Sequence, residues 1–114
     1  MENTVINETV FSQLLVDVGE DMLPALVAVF NEETTERIND LQALMLDIDN
    51  NKVAQSCHSI KSSAGTYGAL LVQQHAEELE IMAKSNHTEE VQAKLPLLIH
   101  SLEDAINALA LRCD

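Results

Sequence analysis

The sequence predicts an all-α protein: an antiparallel, up-down-up-down four-helix bundle with an additional short N-terminal helix. Three observations lead there. Only three glycines and two prolines occur in 114 residues, too few turn formers for many short strands. Hydrophobic residues make up 46% but aromatics only 3%, so the core must be built from aliphatic side chains and alanine, which suit helices. Apolar residues also recur at three- and four-residue spacing in five stretches separated by turn signals. A chain of this length fits one domain, residues 1–114, with one core.

Each element has its own punctuation. Asn7 is placed to cap a first helix over residues 8–18, with Val10, Phe11, Leu14, Leu15 and Val18 on one side and Gly19 as its stop. Asp21 is the expected cap of the second helix, with Pro24 in the first turn, where a missing N–H costs little. Its apolar series Leu23, Val27, Phe30, Thr34, Ile38, Leu41, Met45 and Ile48 carries the helix to about residue 48. The run Asp49-Asn50-Asn51 reads as turn or cap. A third helix follows to Tyr67, with Val53, Cys57, Ile60, Ala64 and Tyr67 inward and Gly68 as a left-handed stop. Val72, Ala76, Leu79 and Ala83 mark the fourth helix, and residues 85–88 a loop and cap. Val91, Leu95, Leu98, Leu102, Ile106 and Leu109 mark the fifth, in which Pro96 predicts a kink or a late start. Long amphipathic helices on short connections pack antiparallel, with the short first helix over one end.

Charge and composition exclude several function classes. The net charge of −13 repels nucleic acid and anionic lipid, so neither is an expected partner. No apolar run approaches the length of a membrane span. The polar start Met1-Glu2-Asn3-Thr4 is unlike a signal peptide, and a cytoplasmic protein is expected. Cys57 and Cys113 have no CxxC spacing and read as unpaired thiols in a reducing compartment. No Gly-rich phosphate loop is present, so no ATP site is expected. None of His58, His75, His87 or His100 has Glu three positions before it, and no metal site is expected.

The third helix carries the chemistry. Its apolar stripe centres roughly 140° from His58 around the helix, which turns that imidazole to solvent. Asn51, Ala54, Gln55, Lys61, Ser62 and Gly65 share its face. Lys61 and Ser62, three and four positions on, are within helical reach of the ring. Gly65 costs about 1 kcal/mol relative to Ala in an exposed helix, so something other than helix stability must justify it. No acidic residue occurs from Asn50 to Ala76, where even scatter would place about four or five. An acidic chain has cleared negative charge from around an exposed histidine and left Lys61 there. That arrangement suits a group which acquires a phosphoryl charge. Cys57, about 100° away toward the core, is not placed to form a Cys–His pair.

The run from His58 to Ala69, HSIKSSAGTYGA, resembles the signature of histidine phosphotransfer domains: His, any residue, an aliphatic, Lys, small residues, then a hydrophobic residue, Gly and often Ala. The layout is similar to the stand-alone members that serve bacterial quorum-sensing phosphorelays. The resemblance implies that His58 is the phosphoacceptor, Lys61 its charge partner, and Gly68 the closure of the helical hairpin. It implies that Ala54, Gln55, Lys61, Ser62 and Gly65 form a partner surface on which the small residues leave room for a receiver domain. Many relatives have Gly after the Lys where this chain has Ser62, also a small side chain.

An antiparallel fourth helix brings Glu77, Glu78 and Glu80 alongside His58. In chemotaxis-type members of the family a carboxylate matching Glu80 hydrogen-bonds the imidazole, which would fix the tautomer and leave Nε2 as nucleophile. The resemblance further implies a monomeric phosphocarrier rather than an enzyme. Its expected partners are the receiver domains of a hybrid sensor histidine kinase and of a response regulator. It would need no cofactor of its own, the Mg ion belonging to the receiver. The competing reading is a non-phosphorylated acidic adaptor that binds through the same face, although simple docking needs neither His58 nor Lys61.

Overall fold

The computed structural model describes residues 5–112. The polar start and Cys113 lie outside the described residues. Five α-helices follow one another: α1 Glu8–Val18, α2 Leu23–Leu46, α3 Asn50–Tyr67, α4 Leu70–Lys84 and α5 Thr88–Leu111. Helices α2 to α5 form the up-down-up-down bundle, and α1 lies against one end. Asn50 at the start of α3 donates to Thr88 Oγ1 at the start of α5, 3.0 Å away. At the opposite end the Tyr67 hydroxyl donates to the Leu26 carbonyl at 3.2 Å, and its ring packs on Phe30 with centroids 4.8 Å apart.

The caps explain most of the boundaries. The Asn7 side chain accepts from the N–H groups of Thr9 and Val10, and Asp49 accepts from that of Lys52, satisfying donors that a helix start leaves orphaned. Gly68 takes the left-handed conformation, φ 75° and ψ 23°, that ends α3. A Cβ there would lie 2.9 Å from the Asn7 carbonyl oxygen, so the turn is closed to larger residues on two counts. Asp21 is not a cap. After Gly19 the chain tightens into a 3-10 turn over Glu20–Met22, and α2 begins at Leu23 without a side-chain cap. The second helix stops at Leu46, two residues early, yet half-buried Ile48 still packs on the core. The fifth helix does not start late: it runs through Pro96, which is exposed, so the carbonyl left without its N–H partner can be met by water.

The inward series of α3 and α4 are buried at every predicted position, from Val53 to Tyr67 and from Val72 to Ala83. The stripe of α1 is weaker: only Phe11 is buried, and Val18 is exposed. This end is held instead by backbone. Ile6, itself 1% exposed, pairs with Ala69, while the Asn7 N–H donates to the Gly68 carbonyl at 2.7 Å and the Leu70 N–H to that of Val5 at 3.0 Å. Arg112 adds an ion pair to Glu8 and lies over the Phe11 ring. Among the described residues, no helix is long and apolar enough to cross a membrane.

Candidate functional site

The tight turn at Gly68 sets α3 and α4 side by side, and this pairing builds the site. His58, near the middle of α3, has a side chain 66% exposed. Its Nδ1 lies 3.1 Å from Glu80 Oε2. Glu80 is on α4, and its residue is 5% exposed, so a carboxylate has been taken out of water and must be fully partnered. It is. Lys61 Nζ donates to Oε1 at 2.8 Å, and Lys84 Nζ lies 3.0 Å from Oε2.

The carboxylate therefore faces the imidazole and two ammonium groups. The Lys61 hydrogen bond, reinforced by that of Lys84, holds the Glu80 carboxyl down to about 2 even though burial opposes it. Glu80 in turn raises the Lys61 pKa through the same hydrogen bond. An ionised Glu80 accepts from Nδ1–H, which leaves Nε2 as the ring nitrogen with a free lone pair on the solvent side. The neighbouring Cys57 thiol is buried, and burial, with Glu80 adding to it, pushes its pKa up to about 12. It is a packing residue with no nucleophilic character.

Most of the expected face is present. Gln55 and Ser62 are exposed, while Lys61 and Gly65 are half-buried beside the α3–α4 groove. Ala54 is a correction: it is 9% exposed and belongs to the core. The buried arc of α3 is wider than its apolar stripe, because this helix packs against α1, α2 and α4. The acid-free segment is also not acid-free in space, since the fold returns Glu80 to the imidazole and neutralises it with lysines. Lys84 was missed. It sits four residues after Glu80 on one helix, a spacing at which opposite charges pair, so the signal was present in the sequence.

The Glu80 cluster gives the fold a defined acid response. Its folded carboxyl titrates near 2, below the ordinary 4.5. The stabilisation is thus complete above about pH 4.5 and is lost as pH falls toward 2. Thermal melts of the wild type and Glu80→Gln should differ most at neutral pH, and the gap should close over that acid window. A gap of the same size at pH 6 and pH 2.5 would contradict the ionised, doubly paired carboxylate.

Comparison with known proteins gives a consistent set of relatives. Residues 25–110 match the Hpt domain family. The chain is 27% identical over 108 residues to the phosphorelay protein LuxU of Vibrio harveyi, covering 92% of this chain and 95% of that one. Its fold matches the crystal structure of histidine-containing phosphotransfer protein B of Pseudomonas aeruginosa PAO1 with a TM-score of 0.88. That match has 21% identity and covers 98% of this chain and 96% of the other.

Proposed function

The chain belongs to the Hpt domain family, and on that premise we propose that His58 is its phosphoacceptor, taking a phosphoryl group from a receiver-domain aspartate of a hybrid sensor kinase and passing it to the receiver of a response regulator. Members of this family act in histidine phosphotransfer as phosphocarriers, without an ATP site. The observation that carries the assignment to His58 is the bond from Nδ1 to Glu80, with the rest of the ring exposed.

The step follows from that geometry. The Nε2 lone pair attacks the phosphorus of the aspartyl phosphate in line. The P–N bond forms as the P–O bond breaks, and the aspartate leaves as a carboxylate on the receiver. Positive charge developing on the ring faces the ionised Glu80, and Nδ1–H stays hydrogen-bonded throughout. Return of the phosphoryl group to a second receiver is the same step reversed. The Mg ion belongs to the receiver, and this protein supplies a positioned nucleophile and a docking face. It acts as a cytoplasmic monomer.

Regiochemistry tests the reading. After incubation with a phosphorylated receiver, phosphorus–proton correlation NMR should show a single acid-labile adduct on Nε2 of His58. An adduct on Nδ1 would overturn the Glu80 role, and no adduct would leave the adaptor reading. Lys61 has a separate test. Lys61→Ala should slow transfer about tenfold, the worth of one charge-assisted contact. Lys61→Glu should be slower still, because it sets a second carboxylate against Glu80 and the phosphoryl group. Equal rates for wild type and Lys61→Glu would count decisively against this part.

A further inference from the structure

Beside His58, on the side toward Gly68, a shallow groove of about 440 Å³ runs between α3 and α4, lined by Lys61, Ser62, Gly65, Gln73, Gln74 and Glu77. Its shape depends on Gly65. That residue has ordinary helical backbone, since the positive-φ glycines are Gly19 and Gly68. What Gly65 lacks is a Cβ, and a Cβ built there would lie 3.2 Å from Gln73 Nε2. The space left open by the glycine is therefore occupied from across the groove by the Gln73 carboxamide.

We propose that Gln73 is a partner-recognition residue, its carboxamide seated with Nε2 against Gly65 to offer hydrogen bonds to a peptide group of the docked receiver domain. This rests on the phosphotransfer reading above. Three observations support it. Gln73 is half-buried, so its long side chain is held against α3 rather than free in solvent. Of the groove's polar side chains, only Lys61 is engaged by another described residue, Glu80. The carboxamide thus presents donors and an acceptor that are open to a partner. The groove is also continuous with the His58 site through Lys61, so a domain that delivers its aspartate to Nε2 covers it. A carboxamide reads both peptide N–H and C=O without adding charge, so it can discriminate among receivers that share one acidic active site.

The test measures transfer from a phosphorylated receiver as a function of receiver concentration. Gln73→Ala should raise the half-saturating concentration about fivefold, the worth of one neutral hydrogen bond, with a much smaller effect on the maximal rate and no large change in Tm. Gly65→Ala should raise it in the same direction but by less, because it shifts the carboxamide by only a few tenths of an ångström. In the double variant the two effects should not add, because once Gln73 is removed Gly65 has nothing to seat. Full additivity would overturn the seating of Gln73 by Gly65. A wild-type half-saturating concentration in Gln73→Ala would overturn recognition by Gln73, and so would a loss confined to the maximal rate or explained by unfolding. If the wild type itself is never labelled by any receiver, the phosphotransfer reading fails first, and the two failures are distinct.

Discussion

His58→Gln is expected to reduce labelling from a phosphorylated receiver to background while leaving the fold intact. The side chain is 66% exposed, and substitutions at exposed positions usually stay within about 0.5 kcal/mol. Glutamine also keeps an N–H donor that can turn toward Glu80, so the buried carboxylate keeps its complement of partners. What is lost is the only nitrogen lone pair that this site presents to solvent. The other three histidines offer a poor substitute. Each faces carboxylates three or four residues further along the chain: Glu78 for His75, Glu90 for His87, Glu103 and Asp104 for His100. Unlike Glu80, which Lys61 and Lys84 neutralise, these carboxylates have no lysine partner among the described residues, and they oppose a phosphoryl dianion. Peptide mapping of the labelled wild type should find the adduct on His58 alone. Residual labelling of His58→Gln at any of the other three would show that the site is elsewhere.

Gly65→Gln is expected to give the second largest loss, for a steric reason. The backbone at Gly65 is helical, so a side chain brings no left-handed strain, and Gly65→Ala should be neutral or stabilising by up to about 1 kcal/mol. Gln73 must yield by a few tenths of an ångström, which the far end of a flexible side chain can do. A full glutamine at 65 fills the groove beside His58 and stands where a receiver surface must close. Transfer from a receiver should fall by about two orders of magnitude, since a small misplacement of reacting atoms is that costly. Labelling by a small phosphodonor, which needs less room, should fall far less. If the variant unfolds, or if it transfers at the wild-type rate, the docking face does not pass over this residue.

The helices were legible because their ends are marked by residues that do one thing well. Asn7 and Asp49 cap, Gly68 turns left-handed, and the α3 and α4 apolar series are all buried. Asp21 misled because a 3-10 turn intervenes, a tightening that a capping residue does not announce. Ile6 was invisible: it is buried by a backbone pairing with Ala69, which no periodicity encodes. At the site, the exposure of His58 followed from its angle to the stripe. The Glu80 role did not, because its position beside Leu79 is equally that of an ordinary exposed glutamate. Only the register of α4 on α3 decides that its carboxylate meets His58 and Lys61. Ala54 shows the opposite limit, since a methyl side chain at the edge of a stripe carries too little hydrophobic signal to say which side of the boundary it occupies.

The strap of residues 5–7 across the α3–α4 turn makes that end of the molecule a ruler. From Gly68, His58 lies about 15 Å along α3 and Glu80 about 18 Å along α4, at a rise of about 1.5 Å per residue. A one-residue slip between the helices would lengthen or shorten the 3.1 Å Nδ1 contact beyond hydrogen-bond range. The backbone pairs of Val5 and Asn7 with Leu70 and Gly68, together with a turn that excludes a Cβ, fix the zero of both scales. The orientation of the nucleophile is thus set by a datum about three helical turns away from the reacting nitrogen.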